Sequence, residues 1–179
     1  MKKIILAAVA VFGFAFTASA QDKDKATGQT TEGKWLVEIN TGFGEASTSN
    51  TAFSLRSIDG NTSWGVGAEG GYFVMNDLAV KAGVGYFDSG VSGEDGRFNW
   101  KVGGKYYVAS QFPVALDLNG STGNNVSPLW LGIQAGYAWF VADNVSIEPG
   151  LRYGLGLNDD AGDGDLNVFG INIGFNIFL

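Results

Sequence analysis

The chain contains no cysteine and no histidine. Without cysteine there is no disulfide, thiolate metal site or cysteine nucleophile. Without histidine the commonest general base and metal ligand is missing. Proline occurs only three times in 179 residues, and bases are outnumbered, 11 Lys and Arg against 18 Asp and Glu, for a net charge of −7. That balance argues against nucleic acid as a partner. Past the N-terminus no run approaches the 18 consecutive apolar residues of a membrane-crossing helix.

What is present is glycine, 28 residues, with 13% aromatics and no long polar tract. This is a glycine-rich, all-β composition and not a disordered one. The first 20 residues read as an export signal: basic Met1-Lys2-Lys3, an apolar stretch over residues 4–16, and small residues Ala18-Ser19-Ala20 before Gln21. The apolar stretch is too short for a spanning anchor. Cleavage removes Lys2 and Lys3 and no acid, taking the net charge from −7 to −9. Residues 21–33 are polar and aperiodic and read as a flexible leader. The remainder, 34–179, reads as one domain.

The last fourteen residues state the rule for that domain. Phe169, Ile171, Ile173, Phe175, Ile177 and Leu179 alternate with Gly170, Asn172, Gly174 and Asn176, a period of two that means a strand. If the bulky face pointed into a soluble core, glycine outside would only weaken the strand. If the bulky face meets lipid, Gly and Asn fit the crowded interior of a narrow barrel.

The same alternation recurs over residues 34–44, 62–74, 78–87, 97–108, 128–141 and 145–157, and more weakly from Pro113 to Leu118. With the closing strand that makes eight. Short turns at 75–77, 109–112 and 142–144 alternate with longer connections at 45–61, 88–96, 119–127 and 158–165. An even strand count with alternating short turns and long loops predicts an eight-stranded antiparallel up-and-down transmembrane β-barrel, its short turns periplasmic. The outward positions also collect aromatics at both strand ends. Trp35, Tyr72, Tyr106 and Trp139 fall near the turns, and Phe43, Trp64, Tyr86, Phe98 and Tyr153 near the loops. These are two girdles.

The inward positions carry Glu38, Glu69, Asp117 and Glu148 with Lys81, Lys101, Lys105 and Arg152. Four acids face four bases in an interior just wide enough for side chains, and an unpaired buried charge would cost several kcal/mol. Pairing that plugs the lumen is therefore expected, densest in the turn half. The alternative is a gate, in which the pairs exchange to open a narrow channel for small solutes. A reading from another class is a soluble, lipocalin-like carrier, which requires the Ile, Leu and Trp face inside.

Three further stretches bear on function. Asp159, Asp160, Asp163 and Asp165 lie among glycines and offer oxygen ligands suited to a weak Ca²⁺ or Mg²⁺ site bridging to lipopolysaccharide, but without the spacing of an EF-hand. The loop at 45–61 embeds Phe53, Leu55 and Ile58 in Ser, Thr and Asn, a place for adhesion or ligand contact. Gly65-Val66-Gly67-Ala68-Glu69-Gly70 spells a dinucleotide fingerprint, but no helix follows it.

With signal, strands and ending in place, residues 34–179 resemble the small outer-membrane barrels of the OmpA/OmpX-like class. Proteins of that class often end in polar, any, Gly, any, any, hydrophobic, any, hydrophobic, a pattern read by the barrel-assembly machinery. Asn172, Gly174, Ile177 and Leu179 match it, although the usual last residue is Phe. The resemblance implies residence in the outer membrane among lipid and lipopolysaccharide, insertion as a monomer, and no cofactor. A structural or surface role, such as envelope integrity or contact through outer loops, follows from it. The enzymes among such barrels use a catalytic histidine, so no catalysis is expected here.

Overall fold

The computed structural model describes residues 28–43, 53–58, 60–123 and 125–179. The proposed signal peptide, the first part of the leader and most of the 45–61 loop lie outside them.

Ten strands form one sheet: β1 (Trp35–Phe43), β2 (Ser54–Ile58), β3 (Asn61–Met75), β4 (Leu78–Asp88), β5 (Arg97–Val108), β6 (Phe112–Thr122), β7 (Leu129–Gly136), β8 (Trp139–Ala142), β9 (Val145–Gly156) and β10 (Asn167–Phe178). Each pairs antiparallel with its neighbour, and β1 closes the ring by pairing both β10 and β3. β7 and β8 occupy one stave, since both pair β9. The barrel therefore has the eight staves expected: β1, β3, β4, β5, β6, β7 with β8, β9 and β10. Among the described residues the closing β1–β3 pair runs from Trp35↔Tyr72 to Glu38↔Glu69, at the turn end.

Three boundaries differ from the sequence reading. β6 runs to Thr122 instead of ending near Leu118. Its polar upper end is still strand because Asn119 is buried inward, while Gly120 lies beneath the ring of Trp100. The loop before β3 contains β2, which extends the upper end of β3 through Ser54↔Gly65 to Ile58↔Asn61. Finally, the sixth stave is interrupted at Tyr137 and Ala138, with Tyr137 opposite a proline; the register is the same from Gly136↔Gly150 to Trp139↔Ile147 and shifts only between Phe140 and Ala142.

Burial gives the polarity of the wall. Phe169, Ile171, Trp139 and Val84 are 65%, 54%, 61% and 58% exposed, whereas the inward charges are 8% exposed or less. The bulky face points out, so the lipocalin-like reading, which needs it inside, is contradicted. Leu78 and Leu155, which the alternation over residues 78–87 and 145–157 places on the outward face, are nonetheless buried.

Residues 28–33, within the polar leader, pack against the first turn. Thr30 is buried; its hydroxyl donates to the Asp77 carboxylate and its carbonyl accepts from Asp77 N at 2.8 Å. Glu32 N donates to Asn76 Oδ1 at 3.0 Å and Gly33 N to the Phe73 carbonyl at 2.9 Å. At the other end of the chain Trp35 and Leu179 exchange backbone hydrogen bonds of 3.0 and 2.8 Å.

Candidate functional site

The site is the inner face. Strand parity alone delivers the eight charged side chains there: Glu38 from β1, Glu69 from β3, Lys81 from β4, Lys101 and Lys105 from β5, Asp117 from β6, Glu148 and Arg152 from β9, all buried. Narrow closure then brings charges from different strands within reach of one another.

Six of them form one alternating chain. Lys101 Nζ is 2.6 Å from Glu69, Glu69 is 2.7 Å from Lys81, Lys81 is 2.7 Å from Glu38, Glu38 is 2.8 Å from Lys105, and Lys105 is 2.5 Å from Glu148. Each interior member of the chain touches two opposite charges, a geometry that offsets the desolvation of both partners. Asn40 Nδ2 donates to Glu38 at 2.7 Å and Glu69 at 3.3 Å, while Tyr107 and Ser146 hydroxyls donate to Glu148 Oε1 at 2.9 and 3.0 Å. The remaining two charges form their own pair. Arg152 holds Asp117 with both guanidinium nitrogens at 2.6 Å, and Asn119 Nδ2 donates to Asp117 at 2.7 Å. Two parallel bonds make this the most directional contact of the interior.

Glycine makes room for that pair. A Cβ at Gly132 would strike the Arg152 guanidinium and lie 2.7 Å from Asp117 Oδ1. Gly174, read from the sequence as part of an assembly signal, faces inward, where a Cβ would come within 3.1 Å of Asn40 Oδ1. Asn172 is buried beside it and donates to Asn40 at 3.2 Å. Ile177 and Leu179 point outward.

Below the charges lies a feature the sequence reading did not identify. Leu36, Phe73, Ala79, Tyr107, Ala138 and Phe178 form a buried cluster at the turn end, with Phe140 packed against it. Phe178 contacts Phe73, Tyr107 and Phe140 at ring-centroid distances of 6.2, 6.0 and 5.5 Å, within the range of favourable aromatic pairs. Lys105 Nζ sits 5.2 Å from the centre of the Tyr107 ring, so the charge chain rests directly on this floor. A sequence signal existed. Alternation fails at the turn ends of the strands, in Leu36-Val37, Tyr72-Phe73-Val74, Tyr106-Tyr107, Trp139-Phe140-Val141 and Ile177-Phe178-Leu179. Where both faces are apolar, the inner face is a hydrophobic core.

The outward aromatics separate by end. Trp35, Tyr72 and Trp139 are exposed near the turns and Tyr106 is half-buried there; Trp64, Tyr86, Phe98 and Tyr153 are exposed near the loops. Trp35 meets Tyr72 at 5.1 Å and Trp64 meets Tyr86 at 5.6 Å. The Phe43 side chain lies outside the described residues. In the 158–165 loop, Asp160 Oδ2 accepts from Ser127 N at 2.7 Å and so ties two loops together. Asp159, Asp160, Asp163 and Asp165 are not gathered: among the described residues no three acidic side chains converge as metal ligands.

No family model matches the chain, and no curated protein is similar to it in sequence. Solved structures are similar to it. The N-terminal β-barrel domain of Pseudomonas aeruginosa OprF aligns over 83% of this chain and 98% of its own, with 13% identity and a TM-score of 0.54. Neisserial surface protein A aligns over 80% and 95%, with 14% identity and a TM-score of 0.47. The Yersinia pestis outer membrane protein Ail aligns over 83% and 100%, with 12% identity and a TM-score of 0.46. At such identities the likeness is one of fold, and the OprF barrel carries it: this chain has the fold of the small eight-stranded outer-membrane β-barrels.

Proposed function

We propose that the chain is a monomeric outer-membrane barrel with a closed lumen, acting as a structural element or through surface contacts of its outer loops. The observation that carries this reading is the inversion of burial, with apolar and aromatic side chains bare on the outside and paired charges sealed within. Water would penalise such an outer face, and large contiguous apolar surface on a soluble protein marks a contact with something apolar. Lipid satisfies it, and a closed ring satisfies lipid.

The closed lumen is supported from two sides. The charges neutralise one another in pairs, and the aromatic floor crosses the interior at the turn end, leaving apolar side chains where a conducting path would need polar ones. The signal at residues 1–20 would deliver the chain across the inner membrane, the ending at Asn172, Gly174, Ile177 and Leu179 would engage the barrel-assembly machinery, and the upper girdle would meet lipopolysaccharide. No catalytic step is assigned.

The test is heat-modifiability. The mature chain, refolded into phospholipid vesicles, is expected to resist SDS when unheated and to migrate differently after boiling. Identical migration of the two samples, with no protease protection in vesicles, would overturn the reading.

A further inference from the structure

The wall is held unevenly along the line between β1 and β3. β1 pairs β10 from Leu36↔Phe178 up to Phe43↔Ile171, whereas among the described residues it pairs β3 only from Trp35↔Tyr72 to Glu38↔Glu69. Towards the loops the edge of β3 passes to β2, which takes Asn61 to Gly65. Between the two, Val66, Gly67 and Ala68 pair no described strand on that side. Such a break in the ladder is where a closed sheet parts most readily.

The β1–β3 ladder stops at an unfavourable pair. Glu38 and Glu69 stand directly opposite each other on the inner face, both buried, and like charges so placed push their strands apart. Lys81 holds them together: its Nζ lies 2.7 Å from a carboxylate oxygen of each. It reaches across from β4 because the residue between is a glycine. Gly71 pairs Lys81 on one side and Leu36 on the other, and a Cβ there would come within 3.1 Å of the Lys81 Cγ. Asn40 Nδ2 adds a weaker bridge, 2.7 Å to Glu38 and 3.3 Å to Glu69. Lys105 bonds to Glu38 and Lys101 to Glu69, both from β5. Below the pair, Leu36 of β1 and Phe73 of β3 lie together in the aromatic floor, which fixes the turn half by other means.

We propose that the β1–β3 seam is the line along which this barrel opens and that Lys81 is its clasp. With Lys81 in place the two carboxylates share a partner; without it they act as a wedge, and the seam parts from its unpaired loop half down to the floor. The opening exposes the polar inner face sideways at the level of Asn40, while the other seams stay paired.

The experiment is amide hydrogen exchange, followed by NMR, on the folded mature chain in detergent micelles. Its readout is the exchange of those amides of residues 35–38 and 69–72 that bond across the seam, relative to residues 114–118 of β6. Lys81→Met is expected to raise that ratio by about tenfold. Lys105→Met is the control: it also deprives two carboxylates, Glu38 and Glu148, of a shared partner, but those two do not face each other across the seam. It should leave the ratio near that of the parent. Adding Glu38→Gln to Lys81→Met leaves Lys101–Glu69 and Lys105–Glu148 as complete pairs and should restore the parent ratio. An unchanged ratio in Lys81→Met, an equal rise in Lys105→Met, or no restoration by Glu38→Gln would overturn the clasp. If Lys81→Met does not fold, the double variant is expected to fold, and its failure would overturn the clasp as well. The measurement needs the folded barrel alone, so its outcome is independent of the membrane reading.

Discussion

Phe178, the penultimate residue, stacks on Phe73 inside the barrel, ring centroids 6.2 Å apart and planes inclined by 27°. The contact joins β10 to β3 through the interior, although β1 stands between them in the wall. It therefore fastens the seam where the first and last staves meet. Phe178→Ala removes a fully buried ring and should cost about 3–5 kcal/mol, measured as a lower urea midpoint in vesicles and a lower temperature for loss of the SDS-resistant form. Phe178→Leu should retain most of the stability.

Lys105 is held between Glu38 and Glu148, so removing it strands two carboxylates. Lys105→Met should destabilise by about 3–5 kcal/mol. Adding Glu148→Gln, which removes one stranded charge, should recover part of the loss in a double-mutant cycle. Full additivity of the two changes would contradict the pairing.

Glycine substitutions should sort by what a Cβ meets. At Gly103 it would strike the Leu116 carbonyl and come within 2.7 Å of the Asp117 Cα, backbone that cannot turn aside. Gly103→Ala should abolish or sharply reduce the folded yield. Gly132→Ala displaces Arg152 from Asp117 and should cost about 1–3 kcal/mol. Gly70 is exposed on the outer face with nothing within 4 Å, and Gly70→Ala should be neutral or stabilising by up to about 1 kcal/mol. SDS-resistant yield and urea midpoints of the three variants provide the comparison.

Thr30 ties the segment before β1 to the first turn through Asp77. Thr30→Val keeps the shape and removes the hydroxyl donor, for a loss of about 1 kcal/mol. The change should be local: limited proteolysis near residue 30 accelerates while the barrel fragment stays intact.

Much of this architecture was legible because a narrow barrel writes itself as a period of two. Parity placed Lys81, Lys105 and Glu148 on the face opposite Val80, Tyr106 and Ile147, and the burial pattern has the same parity. Partner choice was not legible. That Lys81 bridges Glu38 and Glu69 while Arg152 takes Asp117 depends on register around the closed ring, which no single strand encodes. The floor was missed because Tyr107 and Phe178 sit beside other large apolar residues, Tyr106 and Ile177, where alternation offers no contrast. The extension of β6 past Leu118 was missed because Asn119 and Gly120 carry turn-like composition, while their strand conformation comes from β5 on one side and β7 on the other. The Tyr137–Pro149 interruption lies within a well-patterned strand pair and shows only once the two residues are known to face each other.

The central claim, a lumen closed by paired charges over an aromatic floor, is tested most directly by single-channel recording of the refolded mature protein in a planar bilayer, with insertion confirmed by heat-modifiability. The account predicts silence from the parent and from Glu69→Gln and Arg152→Ala. Reproducible conductance steps in the parent that change with either substitution would contradict it, and would make the charge network a gate.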